Sequence, residues 1–232
     1  MALIFLREIE TLNERVLRLS IDVEDRLRKA LLAVATRDAA LAQTVMDGDT
    51  EIDQREVQIE EECLKLLALH QPVASDLRFV IATLKVNNDL ERIGDLAVNI
   101  ADRARLLASG PLPSVGLPID RMGTLAIAML RKTFQAFMEH DSRLAAEVVA
   151  SDDELDDLNR KLIATVVDRL RAGDPAPDVL LLLLGVSREL ERVGDHASNI
   201  AEDLIYMFKG EIVRHHKSDV VRSVQNPDAP AT

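Results

Sequence analysis

The chain has 232 residues with a single cysteine, and 28 lysines and arginines stand against 40 aspartates and glutamates, a net charge of −12. This length suits one large domain or two small ones, while a lone thiol excludes a disulfide framework and favours a reducing cytoplasm. A surface this acidic repels phosphate groups, so we expect no nucleic acid partner. Aromatic residues make up only 3% of the chain, which disfavours an all-β fold and fits helices packed on helices.

Hydropathy along the chain predicts no membrane-spanning segment. The longest apolar run, VLLLLLGV at 179–186, is far shorter than the roughly 20 residues that a membrane helix needs. The first residues, MALIFLREIE, reach charged positions quickly and lack a small-residue cleavage pattern, so we expect no signal peptide. We therefore expect a cytoplasmic protein.

The sequence contains two copies of one unit. Residues 89–101 (DLERIGDLAVNIA) match residues 189–201 (ELERVGDHASNIA) at nine of thirteen positions after a shift of 100. Upstream, residues 38–53 match residues 141–156 at a shift of 103. A segment rich in glycine and proline at 109–118 separates the copies. The repeat predicts that both halves have the same fold.

Within each copy, apolar residues recur at helical spacing, as at Leu77, Ile81 and Leu84. Short breaks divide each copy into three helices, and short connections force neighbouring helices to run antiparallel. The sequence therefore predicts an all-α protein made of two tandem antiparallel three-helix bundles. We place the six helices near 3–36, 39–69, 73–108, 117–140, 142–171 and 176–209.

The same breaks define the predicted domains. The first three-helix repeat covers residues 1–108, and the second covers residues 117–209. From Gly210 onward the helical periodicity is lost, and the chain ends in NPDAPAT. Residues 210–232 are therefore predicted to form a disordered tail.

Acidic residues spaced four positions apart occur at matching positions in both copies. Because a helix turns 100° per residue, such pairs share one helix face. Antiparallel pairing sets residue r opposite 143 − r in the first copy and opposite 348 − r in the second, so two pairs meet in each copy. The acidic residues brought together are Asp49, Asp53, Glu91 and Asp95 in the first copy, and Asp152, Asp156, Glu191 and Asp195 in the second.

Four carboxylates in one place repel each other, and a single like-charged pair at this spacing costs a helix about 0.2–0.5 kcal/mol. A bound cation would relieve that repulsion. Oxygen ligands without cysteine or a repeated histidine suit Mg, Mn, Ca or Fe better than structural zinc, and each site has oxygens for more than one ion. The alternative is a solvated acidic face that is partnered by Arg92 and Arg192.

The two acidic sites are not identical in sequence. Glu56 and Glu60 extend the first site along its helix face, whereas Asn159 and Ile163 occupy the matching positions of the second. We therefore expect the second site to be smaller or to bind metal less strongly.

A glycine stands just before the second acidic residue of the third helix in each copy, at Gly94 and Gly194. In a helix interior each costs about 1 kcal/mol relative to alanine. Two explanations remain open, namely the close approach of another helix and room for a ligand.

The duplicated motifs LERIGD...NIAD and LERVGD...NIAE, with HQPVASDLR at 70–78, resemble the PhoU family over about residues 5–215. The resemblance implies a cytoplasmic accessory and regulatory protein of the phosphate-specific ABC transporter, built from two three-helix bundles, that helps to switch off the phosphate-starvation response. In that family, E(D)xxxD motifs bind multinuclear clusters, of iron or zinc in some members and of magnesium or manganese in others. The motif positions of this sequence are the eight acidic residues named above.

The resemblance also implies the partners. These are the ATPase subunit of the phosphate ABC transporter and the membrane-bound phosphate-sensor histidine kinase, so the protein would reach the membrane only through partners; a homodimer is a family-level expectation. We expect no enzyme, no catalytic residues and no organic cofactor. The alternative is a metal-dependent all-α phosphohydrolase, because two ions among carboxylates can activate water. Against it, no lysine, arginine or histidine recurs on the acidic stripe to hold a phosphate.

Overall fold

The fold is known from a computed structural model, which describes residues 2–111, 116–210 and 212–213, without the side chains of Ala2 and Asp49. These residues contain seven α-helices and no strand. The helices are α1 (Ala2–Thr36), α2 (Ala39–Asp47), α3 (Asp49–His70), α4 (Ala74–Leu107), α5 (Ile119–Glu139), α6 (Ser142–Arg171) and α7 (Pro177–Lys209).

The predicted fold class is confirmed, with one correction. The helix expected at 39–69 is interrupted at a single residue, Gly48 (φ −78°, ψ −1°), which divides it into α2 and α3. Glycine is a poor helix former, and the guanidinium of Arg26 on α1 donates a hydrogen bond to the Gly48 carbonyl. The other helices begin and end within two residues of their predicted positions.

The two repeats use the same device to turn from their first helix into their second. Asp38 accepts hydrogen bonds from the amides of Ala40 and Leu41, and Asp141 accepts them from the amides of Arg143 and Leu144. Each aspartate satisfies amides that the first turn of a helix leaves without a partner. The preceding residue adopts a left-handed conformation in both repeats, with φ 56° at Arg37 and 53° at His140.

Each repeat folds into its own bundle, and the two bundles then pack together. In the first repeat α1 packs against α3 and α4, and in the second α5 packs against α6 and α7. The bundles meet mainly where α4 packs against α7, with a smaller contact between α1 and α5. Helix α4 therefore packs against α7 of the other repeat and against α3 of its own. Helix α7 packs against α4 of the other repeat and against α6 of its own.

Polar side chains join the repeats across the contact between α4 and α7. Nδ1 of His196 lies 2.7 Å from Oδ1 of the buried Asp89. Nη2 of Arg103 lies 2.9 Å from Oε1 of Glu189. A buried carboxylate is costly without a partner, so these pairs favour one register between the repeats.

The end of the chain is described only in part. Helix α7 ends at Lys209, followed by Gly210 in a left-handed conformation (φ 77°). Most of the predicted tail at 210–232 lies outside the described residues, so its disorder stays a prediction. None of the helices in the described part of the chain combines the length and apolar character that membrane crossing requires.

Gly94 and Gly194, which occupy matching positions in the two repeats, differ in how closely another helix approaches them. A Cβ atom added at Gly194 would lie 2.5 Å from Cδ2 of the fully buried Leu155, which confirms close helix approach there. At Gly94 the nearest atom, Cγ2 of Ile52, would lie 3.4 Å away, an ordinary contact. The second repeat is therefore the more tightly packed at its acidic site.

The contrast predicts different outcomes for the same substitution. Gly194→Ala should lower the free energy of unfolding by about 1–3 kcal/mol, because the added methyl group overpacks the contact with Leu155. Gly94→Ala should be neutral or stabilising by up to about 1 kcal/mol, because it gains helix propensity without a clash. Urea denaturation of both variants in EDTA tests this. Equal destabilisation by the two substitutions would contradict it.

Candidate metal centre

The first acidic site lies between α3 and α4. Asp49 begins α3, but its side chain lies outside the described part of the structure. Asp53 lies one turn further along α3, opposite Glu91 and Asp95 on α4. The register is set by Nδ2 of Asn87, which donates to the backbone carbonyl of Glu56 (2.9 Å) and to Oε1 of the same residue (3.2 Å).

The charges of the first site act on one another. The pKa of Glu91 is raised, chiefly by burial and next by the neighbouring carboxylate of Asp95. Arg92 opposes the shift, and the carboxylates of Glu56 and Asp53 on α3 add to it. The structure therefore brings Asp53, Glu91 and Asp95 into one field of negative charge.

Glu56 interacts electrostatically with the same group of carboxylates. Burial raises its pKa, and the carboxylates of Glu60 and Asp53 raise it further. The first site thus includes the extension along α3 that the sequence predicts. In the second repeat the matching residue, Asn159, is buried, and its Oδ1 accepts a hydrogen bond from the hydroxyl of Ser187 at 3.1 Å.

The second acidic site lies between α6 and α7. The pKa of Glu191 is raised by burial and then, in decreasing order, by the carboxylates of Asp195, Asp156 and Asp152, with Arg192 opposing the shift. The other three residues predicted for this site therefore all act electrostatically on Glu191. Burial first, and repulsion among like charges second, favour the protonated form of Glu191.

Asp152 is the most deeply placed of these carboxylates. Its side chain is buried, with 1% relative exposure. A Cβ atom added at Gly194 would lie 3.3 Å from Oδ1 of Asp152, so the glycine leaves this carboxylate against the bare backbone of α7. Burial makes a charged carboxylate costly unless positive charge or hydrogen bonds compensate it.

Arginine partners the acidic residues differently in the two repeats. Arg92 approaches both Glu91 (Nε to Oε2, 3.4 Å) and Asp95 (Nη1 to Oδ2, 3.5 Å). Arg192 instead lies 3.3 Å from Oε2 of Glu189, whose other oxygen pairs with Arg103. An arginine-partnered acidic face is thus present in the first repeat, although half-exposed pairs of this kind contribute little.

Among the described side chains, the acidic residues do not form a compact group of the kind that holds a metal ion. In the ranges 2–111, 116–210 and 212–213, no three histidine, cysteine, aspartate or glutamate side chains are arranged to hold a metal ion. The side chain of Asp49 is not among those described.

Several residues that shape the sites were not singled out from the sequence. Asn87 orients Glu56, and Ser187 takes the same place beside Asn159 in the second repeat. The shift of 100 that relates the repeats also relates these two positions, so the repeat was the signal that could have revealed them. Arg26, which holds the break at Gly48, has no such signal.

Two tandem three-helix bundles, each with facing acidic pairs on adjacent helices, define a class of duplicated all-α proteins with paired carboxylate sites. The family model for the PhoU domain matches the chain twice, at residues 16–104 and 119–204. The chain therefore belongs to the PhoU family.

Relatives support this membership over nearly the whole chain. The phosphate-specific transport system accessory protein PhoU homolog 1 of Thermotoga maritima is 32% identical over 226 residues, covering 97% of each chain. The corresponding PhoU homolog of Pseudomonas aeruginosa is 36% identical over 212 residues, covering 91% of this chain and 88% of the relative.

Solved structures support the fold in the same way. The crystal structure of PhoU from Pseudomonas aeruginosa matches with a TM-score of 0.87 at 35% identity, covering 89% of this chain and all of that one. The phosphate transport system regulatory protein PhoU from Streptococcus pneumoniae matches with a TM-score of 0.84 at 32% identity, covering 90% of this chain and 99% of that one.

The raised pKa of Glu191 predicts a pH-dependent gain in stability on Glu191→Gln. A raised carboxyl pKa means that the folded state pays for ionisation above that pKa, and the cost disappears as the pH falls toward the ordinary value of 4.5. In EDTA the variant should therefore be more stable than the parent at pH 7.5, with a difference that shrinks by pH 5. Urea denaturation at both pH values measures this.

Glu139→Gln is the matched control, because Glu139 is an exposed glutamate at the end of α5. It should change stability little at either pH. A loss of stability at pH 7.5 on Glu191→Gln would contradict the prediction.

Proposed function

We propose that this protein is an accessory protein and negative regulator of phosphate uptake and of phosphate-starvation signalling. The observation that carries the proposal is the match, over about nine tenths of the chain, to relatives described as phosphate-specific transport system accessory proteins. In this role it acts in the cytoplasm, as a homodimer, and binds the ATPase subunit of the phosphate ABC transporter and the phosphate-sensor histidine kinase. It connects the two without carrying out chemistry itself.

The proposal includes metal ions at the two carboxylate sites. Asp49, Asp53, Glu91 and Asp95 would hold one group of ions, and Asp152, Asp156, Glu191 and Asp195 the other. These residues fit metal ions because a set of carboxylate oxygens suits Mg, Mn and Fe. Zinc is a further metal that the resemblance to the family implies. The raised pKa values of Glu91 and Glu191 are consistent with a surplus of negative charge that a cation would neutralise.

Metal at these sites would stabilise the bundles locally. Each site joins two helices of one repeat, α3 with α4 or α6 with α7, so a bound ion would tie those helices together. The surplus charge would be removed at the same time. The remaining helix faces would then be presented to partners by a more rigid framework.

A metal-dependent phosphohydrolase remains the alternative. It would need a cation to hold the substrate phosphate beside the metal, and Arg92 is the basic residue in contact with Glu91 and Asp95. Metal-dependent hydrolysis of nucleotides or polyphosphate that is abolished by Asp95→Asn would favour this alternative over the accessory role.

Binding to the ATPase subunit tests the proposed role and the part that metal plays in it. We expect saturable binding of the purified subunit in the presence of Mn²⁺, measured by surface plasmon resonance, and at least tenfold weaker binding in EDTA or on Asp95→Ala. Asp168→Ala serves as a control, because Asp168 is 78% exposed on α6, near Arg171. Absence of binding would contradict the accessory role, and binding unchanged by chelation and by Asp95→Ala would remove metal from it.

The larger acidic set of the first site predicts unequal metal loss. Because Glu56 and Glu60 add carboxylates that the second site lacks, Asp95→Ala should remove more metal per chain than Asp195→Ala. Elemental analysis of protein purified without a histidine tag measures this. Equal losses would refute the asymmetry, and metal near zero in the unaltered protein would refute metal binding.

A further inference from the structure

The two repeats differ at the point where the helix bearing the first acidic pair begins. In the first repeat the helix is broken at Gly48, so Asp49 is the first residue of α3. In the second repeat α6 runs without a break through Ser151, the residue that matches Gly48, to Asp152. The same acidic motif is therefore presented from a helix start in one copy and from a helix interior in the other.

Arg26 holds the break in place. It lies on α1 with a relative exposure of 8%, and its guanidinium donates a hydrogen bond to the Gly48 carbonyl. A Cβ atom added at Gly48 would lie only 3.2 Å from Nη2 of Arg26, tighter than most real contacts. Residue 48 is thus a glycine where the guanidinium approaches the backbone.

The physical chemistry of a helix end explains why a cation suits this place. Gly48 joins the end of α2 to the start of α3, and its carbonyl also accepts the backbone amide of Glu51 at 3.3 Å. Positive charge is favourable near the end of α2. A hydrogen bond from a charged donor is also stronger than a neutral one. Arg26 therefore stabilises the end of α2, and with it the backbone position at which α3 starts.

The second repeat has no cation at the equivalent position. The shift of 103 that aligns the first two helices of the repeats places Met129 where Arg26 stands. Met129 is buried, and its Cε would lie 3.6 Å from a Cβ atom added at Gly194. A thioether thus packs under the second acidic site, where the first has a guanidinium bound to the backbone just before Asp49.

We propose that Arg26 is a positioning residue of the first carboxylate site. By holding the Gly48 carbonyl it fixes the first turn of α3, and so sets where Asp49 and Asp53 stand relative to Glu91 and Asp95. The inference rests on the proposed metal site for its functional consequence, while its structural consequence for the backbone is independent of metal. The second site reaches its arrangement through a continuous helix and has no need of such a residue.

Arg26→Met, which installs the residue of the second repeat, tests the structural part. In metal-free protein, hydrogen–deuterium exchange of residues 45–53 should become at least tenfold faster, while residues 148–156 keep their parental rates. Arg28→Met is the control, because Arg28 is a partly exposed arginine of the same helix that pairs with Glu24. Unchanged exchange at residues 45–53 would overturn the inference.

Manganese binding tests the functional part. With the second site disabled by Asp156→Asn, Arg26→Met should weaken Mn²⁺ binding at least tenfold, measured as free Mn²⁺ by electron paramagnetic resonance. Arg26→Lys should recover part of the affinity, because an ammonium can still donate to the Gly48 carbonyl. Full affinity with Arg26→Met would overturn the inference.

A double variant guards against simple unfolding. Arg26→Met with Gly48→Ser takes both residues of the second repeat, and should restore slow exchange at residues 45–53 as a continuous helix, while Mn²⁺ binding returns only to the weaker level expected of the second site. Recovery of full Mn²⁺ affinity by the double variant would show that the break does not matter and would overturn the inference. Failure of the Asp156→Asn protein itself to bind Mn²⁺ would refute the proposed first metal site, and the exchange measurements would then still decide the role of Arg26 in the backbone.

Discussion

Repulsion between carboxylates that are held together by helix packing is the constraint on which the functional sites depend. The pairs on α6 and α7 cannot separate, because Leu155 of one helix is packed against Gly194 of the other. The cost contributes to the raised pKa of Glu191, which burial raises first and its acidic neighbours raise further. A fold that maintains such a cost in both repeats is prepared for positive charge, whether from a metal ion or from a partner.

The repeats meet this constraint in different ways. The first is broken at Gly48 and has Arg92 beside Glu91 and Asp95, so basic side chains already lie close to its acids. The second has a continuous helix, and its Asp152 is buried. The two sites therefore share the same acidic motif but have different surroundings.

Much of the fold and of the acidic sites could be predicted from the sequence, because helix periodicity and loop positions are local properties. The predicted pairing rule places Glu56 opposite residue 87, and Asn87 does bond to Glu56. The contact at the break could not be predicted, because the Arg26 guanidinium that donates to the Gly48 carbonyl approaches from another helix. The pairing of Arg192 with Glu189 could not be predicted either, because Glu189 also pairs with Arg103 of the first repeat, a contact between side chains of different repeats.

A double-mutant cycle between Asp156 and Glu191 measures the proposed repulsion across α6 and α7. In EDTA at pH 7.5, Asp156→Asn and Glu191→Gln should each relieve the same repulsion, so the double variant should gain less stability than the sum of the single variants. The expected coupling is about 0.5 kcal/mol or more, and adding Mn²⁺ should abolish or reverse it. Additive effects in EDTA, within about 0.3 kcal/mol, together with no response to Mn²⁺, would contradict the proposed repulsion between Asp156 and Glu191.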